Sequence, residues 1–111
     1  MTVPQVPPTQ RVIQLDDNGH VRLVDGATIP VLPPGFVLVR TMAVALNPSD
    51  NKIATNFPIP GARIGTDFCG TVLQIADDGG GLEVGDVVCG AAFCFNAQHR
   101  LVNGAFSEYV R

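Results

Sequence analysis

The sequence has no tryptophan and a single lysine, Lys52; its other fixed positive charges are six arginines. Against ten carboxylates this leaves a formal net charge of -3. Such a balance excludes the basic footprint expected of a chain that grips nucleic acid or an anionic membrane surface. No apolar window is long enough to span a bilayer. The start, "MTVPQVPPTQ", has neither a basic cluster nor a continuous apolar run, so it does not read as a signal peptide. Three cysteines, Cys69, Cys89 and Cys94, are an odd number without a C-x-x-C pair. Reduced thiols in a soluble, cytoplasmic protein are the simplest reading.

What is present points to a small β-rich domain. At 111 residues the chain is one domain at most, able to bury roughly 65% of its unfolded surface. Twelve glycines and nine prolines supply many turns. Residues 1–9, with Pro4, Pro7 and Pro8, read as a flexible arm ahead of a domain over 10–111. "RVIQL" (11–15) and "HVRLV" (20–24) flank Asp16-Asp17-Asn18-Gly19 and predict a hairpin. "FVLVRTMAVALN" (36–47) is apolar on both alternating faces, which predicts a strand buried on two sides. Pro48 ends it, and "PSDNKIA" suits a short helix begun near Asn47 or Ser49.

"TDFCGTVLQIA" (66–76) predicts a second long strand, with Gly70 marking a bulge or a close backbone approach. "DDGGG" (77–81) is a turn whose two carboxylates would repel a phosphate. "VGDVVCG" leads into a strand near 85–91, "FCFNAQHRLVNG" (93–104) is ambiguous, and "AFSEYVR" (105–111) reads as a terminal strand. The expected class is all-β: six strands with one or two short helices in a partly open barrel.

The chemistry-bearing residues cluster after the strand stop. Asn47, Ser49 and Lys52 present an amide, a hydroxyl and an ammonium, donors suited to a carbonyl or a phosphate. The alternative is that Asn47 and Ser49 only cap a helix while Lys52 faces solvent. Asp50 is read first as turn support or an ion-pair partner and second as a general base. His20 and Tyr109 read as turn and packing residues. Cys89 and Cys94 with His99 make a superficial metal-like group, read as two small core residues and a loop histidine.

Four stretches in order, "ALNPSDNK" (45–52), "GTDFCGTV" (65–72), "VGDVVCG" (84–90) and "GAFSEYVR" (104–111), resemble the N-terminal, GroES-like domain of the medium-chain dehydrogenase/reductase superfamily. The branch they are most similar to is the zinc-independent one, in particular the fungal trans-acting enoyl reductases of polyketide biosynthesis. The resemblance implies that Asn47, Ser49 and Lys52 carry catalysis and that Asp50, Thr66 and Asp67 line a substrate or cofactor cleft. It also implies that no metal is held, since zinc-dependent relatives have a cysteine and a His-Glu pair where this chain has Asn47, Thr66 and Asp67. Complete relatives use NADPH, bound by a Rossmann domain. No G-x-G-x-x-G unit is present here, so no cofactor is expected to bind this chain alone.

The implied partner is a polyketide-type small molecule or a carrier-protein-bound thioester. A homodimer through exposed sheet edges, with "AFSEYVR" (105–111) as the pairing edge, is a further expectation. Two other readings stay open: a redox-free isomerase or cyclase acting on a polyketide-like carbonyl compound, and a non-enzymatic partner module.

Overall fold

The computed structural model describes residues 6–56, 58–77, 79–92, 99 and 101–111. Its strands are β1 (Thr9–Leu15), β2 (Val21–Thr28), β3 (Val37–Val44), β4 (Asp67–Ile75), β5 (Val87–Ala91) and β6 (Tyr109–Val110). Among the described residues a single α-helix, α1 (Pro48–Asn56), lies between β3 and β4, and a short turn of 3₁₀ helix occupies Gly79–Gly81. The class is the mainly β one that the turn-rich composition predicts.

The β1–β2 hairpin forms where Asp16 directs it. One oxygen of that carboxylate accepts the N–H groups of Asn18 and His20, each at 2.9 Å, and the other accepts Arg22 Nε at 3.0 Å. The side chain thus occupies backbone donors that a free turn would leave unpaired. The other four strands make an antiparallel sheet in the order β5-β4-β3-β6. Residues 105–108 join the two sheets: Ile13 N–H donates to Phe106 O, Glu108 N–H donates to Arg11 O, and Val12 bridges Ser107.

Several expectations are corrected. The terminal strand is only two residues long, and residues 105–108 are wedged against β1 rather than presented as a free edge. β1 begins at Thr9, which already pairs with Thr28, while residues 1–5 of the expected arm lie outside the described residues. So do Phe57, Asp78, Arg100 and residues 93–98, the last including Cys94 and most of the ambiguous stretch. β3 is buried on both faces only in its first half: the adjacent Leu38 and Val39 are in the core, whereas Met42 (62% exposed), Val44 and, beyond the strand, Leu46 (83% exposed) face outward. These side chains, with Val21, Leu23 and Phe106, line an apolar cleft of about 550 Å³ between the sheets. Cys89, read as a core residue, is exposed.

Gly70 does what its position predicts. A Cβ there would lie 2.2 Å from Arg40 O, and the β3–β4 register shifts beside it, between Thr41 and Ala43. Only a residue without a side chain lets β3 bulge so close to β4.

The main core joins Val39, Phe68, Val72, Ala92, Ala105 and Val110. A second cluster packs Ala54 of α1 against Leu15 and Ile64. That contact seats the helix on β1 and on the segment leading into β4, which sets where the helix start meets the sheet. Arg63, 4% exposed, crosses the same region, donating from Nη1 to Val102 O at 2.9 Å and from Nη2 to Thr28 Oγ1 at 3.0 Å. Burial lowers its pKa from the usual arginine value.

Candidate functional site

The end of β3, the start of α1 and the start of β4 converge. Pro48 is the first helical residue, where its missing N–H costs nothing, and Asn47 is the cap position before it. The third helical residue is Asp50, whose Oδ2 accepts the backbone N–H of Asn47 at 2.9 Å. This is the return half of a capping box, with aspartate in the acidic position. Asp50 is 8% exposed, and its other oxygen lies 3.5 Å from Thr66 Oγ1.

The Asp50 N–H donates to the Asn47 backbone oxygen at 3.0 Å, so the Asn47 side chain is not needed as its acceptor and can turn elsewhere. Its Nδ2 donates to Asp67 Oδ2 at 2.9 Å. Gly65, at φ +96 just before Thr66, lets the chain entering β4 pass close to Phe106, for a Cβ there would come within 2.6 Å of Phe106 N. Asn47, Asp50, Thr66 and Asp67 therefore form one hydrogen-bonded group. Asp67 also lines a groove of about 390 Å³ with Ala43, Phe68, Cys69 and Cys89.

Ser49 and Lys52 do not join that group. Lys52 is two residues from Asp50, about 200° around the helix, so the lysine is exposed while Asp50 and Ala54 face inward. Ser49, three residues before Lys52 and also exposed, shares its outward face. Among the described residues no ion pair involves Lys52, so Asp50 is a cap residue and not its counter-ion.

Two arrangements escaped the sequence reading. One is the Asp50 cap, although Asn-x-x-Asp before an apolar position is a recognisable cap spacing. The other is the opposition of Cys69 and Cys89 as cross-strand partners on β4 and β5, which no local signal announces. His99 sits away from any cysteine group described: its Nδ1 is 2.7 Å from Arg111 Nη2 and its ring is tilted against Phe36. Among the described residues no three His, Cys, Asp or Glu side chains come together as metal ligands. No helix among them is long and apolar enough to cross a membrane.

Residues 33–111 match the family described as alcohol dehydrogenase GroES-like domain. The chain is 57% identical over 111 residues to the trans-enoyl reductase TwmE of Talaromyces wortmannii, covering 100% of this chain and 30% of that protein. It is 45% identical over 117 residues to the trans-enoyl reductase ccsC of Aspergillus clavatus, covering 99% of this chain and 32% of that one. Among solved structures, an alcohol dehydrogenase superfamily protein from Novosphingobium aromaticivorans superposes with a TM-score of 0.72 at 27% identity, over 91% of this chain and 31% of its own. The chain spans about a third of the length of these relatives.

Proposed function

Because this chain belongs to the alcohol dehydrogenase GroES-like domain family, we propose that it is the GroES-like portion of an NADPH-dependent, zinc-independent enoyl reductase. Its substrates would be polyketide-type α,β-unsaturated thioesters, free or carried on a carrier protein. The observation that supports this most is the identity to a trans-enoyl reductase along the whole chain. A cytoplasmic location is part of the same reading.

All strand pairs among the described residues are antiparallel. They build no parallel βαβ unit of the kind that cradles a dinucleotide. What this chain can offer is one flank of a cofactor and substrate cleft, and its donor set fits that part. Lys52 supplies an exposed ammonium, Ser49 a hydroxyl on the same helix face, and Asn47 an amide. The Asn47 nitrogen carries two N–H groups, and the bond to Asp67 uses one.

When bound, a reduced nicotinamide supplies hydride to the β-carbon of an unsaturated thioester. Negative charge then grows on the thioester oxygen. Lys52 and Asn47 would meet that oxygen with hydrogen bonds that strengthen as the charge develops. Asp67 acts as a positioning residue by orienting the Asn47 amide, and Asp50 by holding the start of the helix. Zinc independence rests on Asn47, Thr66 and Asp67 standing where zinc-dependent relatives carry ligands. Homodimerisation is a further part of this reading, with β5 as the open sheet edge.

A chimaera tests the proposal: this chain replaces the matching segment of the Talaromyces relative, and NADPH oxidation is followed with an α,β-unsaturated thioester. The chimaera is expected to reduce the thioester, and Lys52→Ala is expected to slow it by about 10² to 10³-fold. A chimaera with native circular dichroism that binds NADPH yet leaves the thioester unreduced would overturn the reading. A Lys52→Ala chimaera of full activity would remove Lys52 from the site.

A further inference from the structure

Cys69 and Cys89 are direct register partners on β4 and β5, and both are free thiols. The pairs three positions to either side are tied by backbone hydrogen bonds, Ala92 N–H to Thr66 O and Val72 N–H to Asp86 O, each at 2.8 Å. Antiparallel ladders alternate, so Cys69 and Cys89 occupy a non-hydrogen-bonded pair, the kind whose Cα atoms stand about 4.5 Å apart with side chains on one face. That spacing falls inside the range of about 4.4–6.8 Å that a disulfide accepts. The shared face is the open one: Phe68, Gly70 and Val72 point into the core, while Asp67 and Cys69 look outward over the groove. Cys89 is exposed on the outer strand of the sheet.

We propose that Cys69 and Cys89 form a reversible dithiol–disulfide pair, a modification site that exchanges with low-molecular-weight disulfides. Cys89, the more accessible sulfur, attacks first. As a thiolate it displaces one RS⁻ from RSSR and becomes a mixed disulfide. Cys69 then gives its proton to solvent, attacks the Cys89 sulfur and releases the second RS⁻. Two protein thiols become one disulfide while one RSSR is reduced to two RSH, and excess thiol reverses both steps. The order suits the environment of Cys69: its hydrogen bond with Cys89, then partial burial, raises its pKa above the usual thiol value, so it keeps its proton until the mixed disulfide has formed. Closing the bond would tie β5 to β4 two residues from Asp67, the partner of Asn47. The pairing does not depend on the enoyl reductase reading.

Incubation with glutathione disulfide, alkylation of the remaining thiols and peptide mass spectrometry test the proposal. The expected product is a Cys69–Cys89 linked peptide, a loss of about 2 Da per chain, reversed by dithiothreitol and retained in Cys94→Ser. In Cys69→Ser the reaction should halt with glutathione attached to Cys89. A link from either residue to Cys94 would overturn the proposal. So would a glutathione adduct that persists on Cys89 of the unsubstituted chain, or two thiols that stay alkylatable after prolonged oxidation.

Discussion

The Asn47 side chain is bound to Asp67 Oδ2 at 2.9 Å, and the link joins the cap position of α1 to the first residue of β4. Asn47 is free to make it because its backbone oxygen already takes the Asp50 N–H, while Asp50 reaches back to the Asn47 N–H. Three residues that are separate in sequence thereby share one purpose, holding the Asn47 amide at the sheet end.

This arrangement ranks three alanine substitutions by stability. Asp50→Ala removes a buried cap acceptor and is expected to cost about 1–2 kcal/mol. Asn47→Ala breaks a more exposed bond and should cost less, about 0.5–1 kcal/mol. Lys52→Ala, at an exposed helix position, should stay within about 0.5 kcal/mol of the parent. Urea denaturation midpoints check the order, and a Lys52→Ala loss equal to that of Asp50→Ala would contradict it.

Gly70→Ala should be far worse than its size suggests. The added methyl would meet Arg40 O at 2.2 Å, and a backbone carbonyl cannot swing aside as a side chain can. A destabilisation of about 1–3 kcal/mol or more is expected, read as a fall in Tm. An unchanged Tm would mean that the β3 bulge is not needed.

Acid should loosen the chain through two carboxylates. Glu108 is held below its usual pKa first by the Arg11 N–H and then by the Arg11 side chain. Asp16 is lowered first by the His20 N–H and then by Arg22. A depressed folded pKa means that the unfolded chain binds the proton more readily. The stability from both groups is therefore complete above the ordinary carboxylate range, about pH 4, and is lost as pH falls through the folded values. Unfolding curves should superpose between about pH 5 and 7 and weaken below about pH 4. Glu108→Gln should make that acid limb shallower.

The outer edge of β5 is the surface proposed for self-association. Val87 is 63% exposed there, and β5 has a strand partner on only one side in the described sheet. Light scattering should show a two-fold species that grows with concentration, and Val87→Lys should suppress it. A monomer at every concentration would remove the dimer from the proposal.

The sequence by itself determined the features whose signals are local. Asp16 to Gly19 set the first hairpin, and Pro48 placed the helix start, although β3 stops earlier than expected, at Val44. Gly70 announced a close approach because a glycine inside a strand pattern has few other uses. The three-dimensional arrangement decided whatever depends on register and on distant neighbours. Both faces of 36–47 carry apolar residues, yet only the packing of β3 against β4 and β6 settles that Val39 is inside while Met42 and Leu46 are not. Asp50 and Lys52 are two residues apart, and α1 turns one inward and the other to solvent because Ala54 seats the helix on Leu15 and Ile64. Arg63 stands in the proline- and glycine-containing stretch "FPIPGARIG" (57–65), where no local signal buries it, and it is buried because its guanidinium finds Val102 O and Thr28 Oγ1. Cys69 and Cys89 lie twenty residues apart, and no local rule pairs them. Their opposition follows from the β4–β5 register, in which a slip of one residue would turn one sulfur to the opposite face.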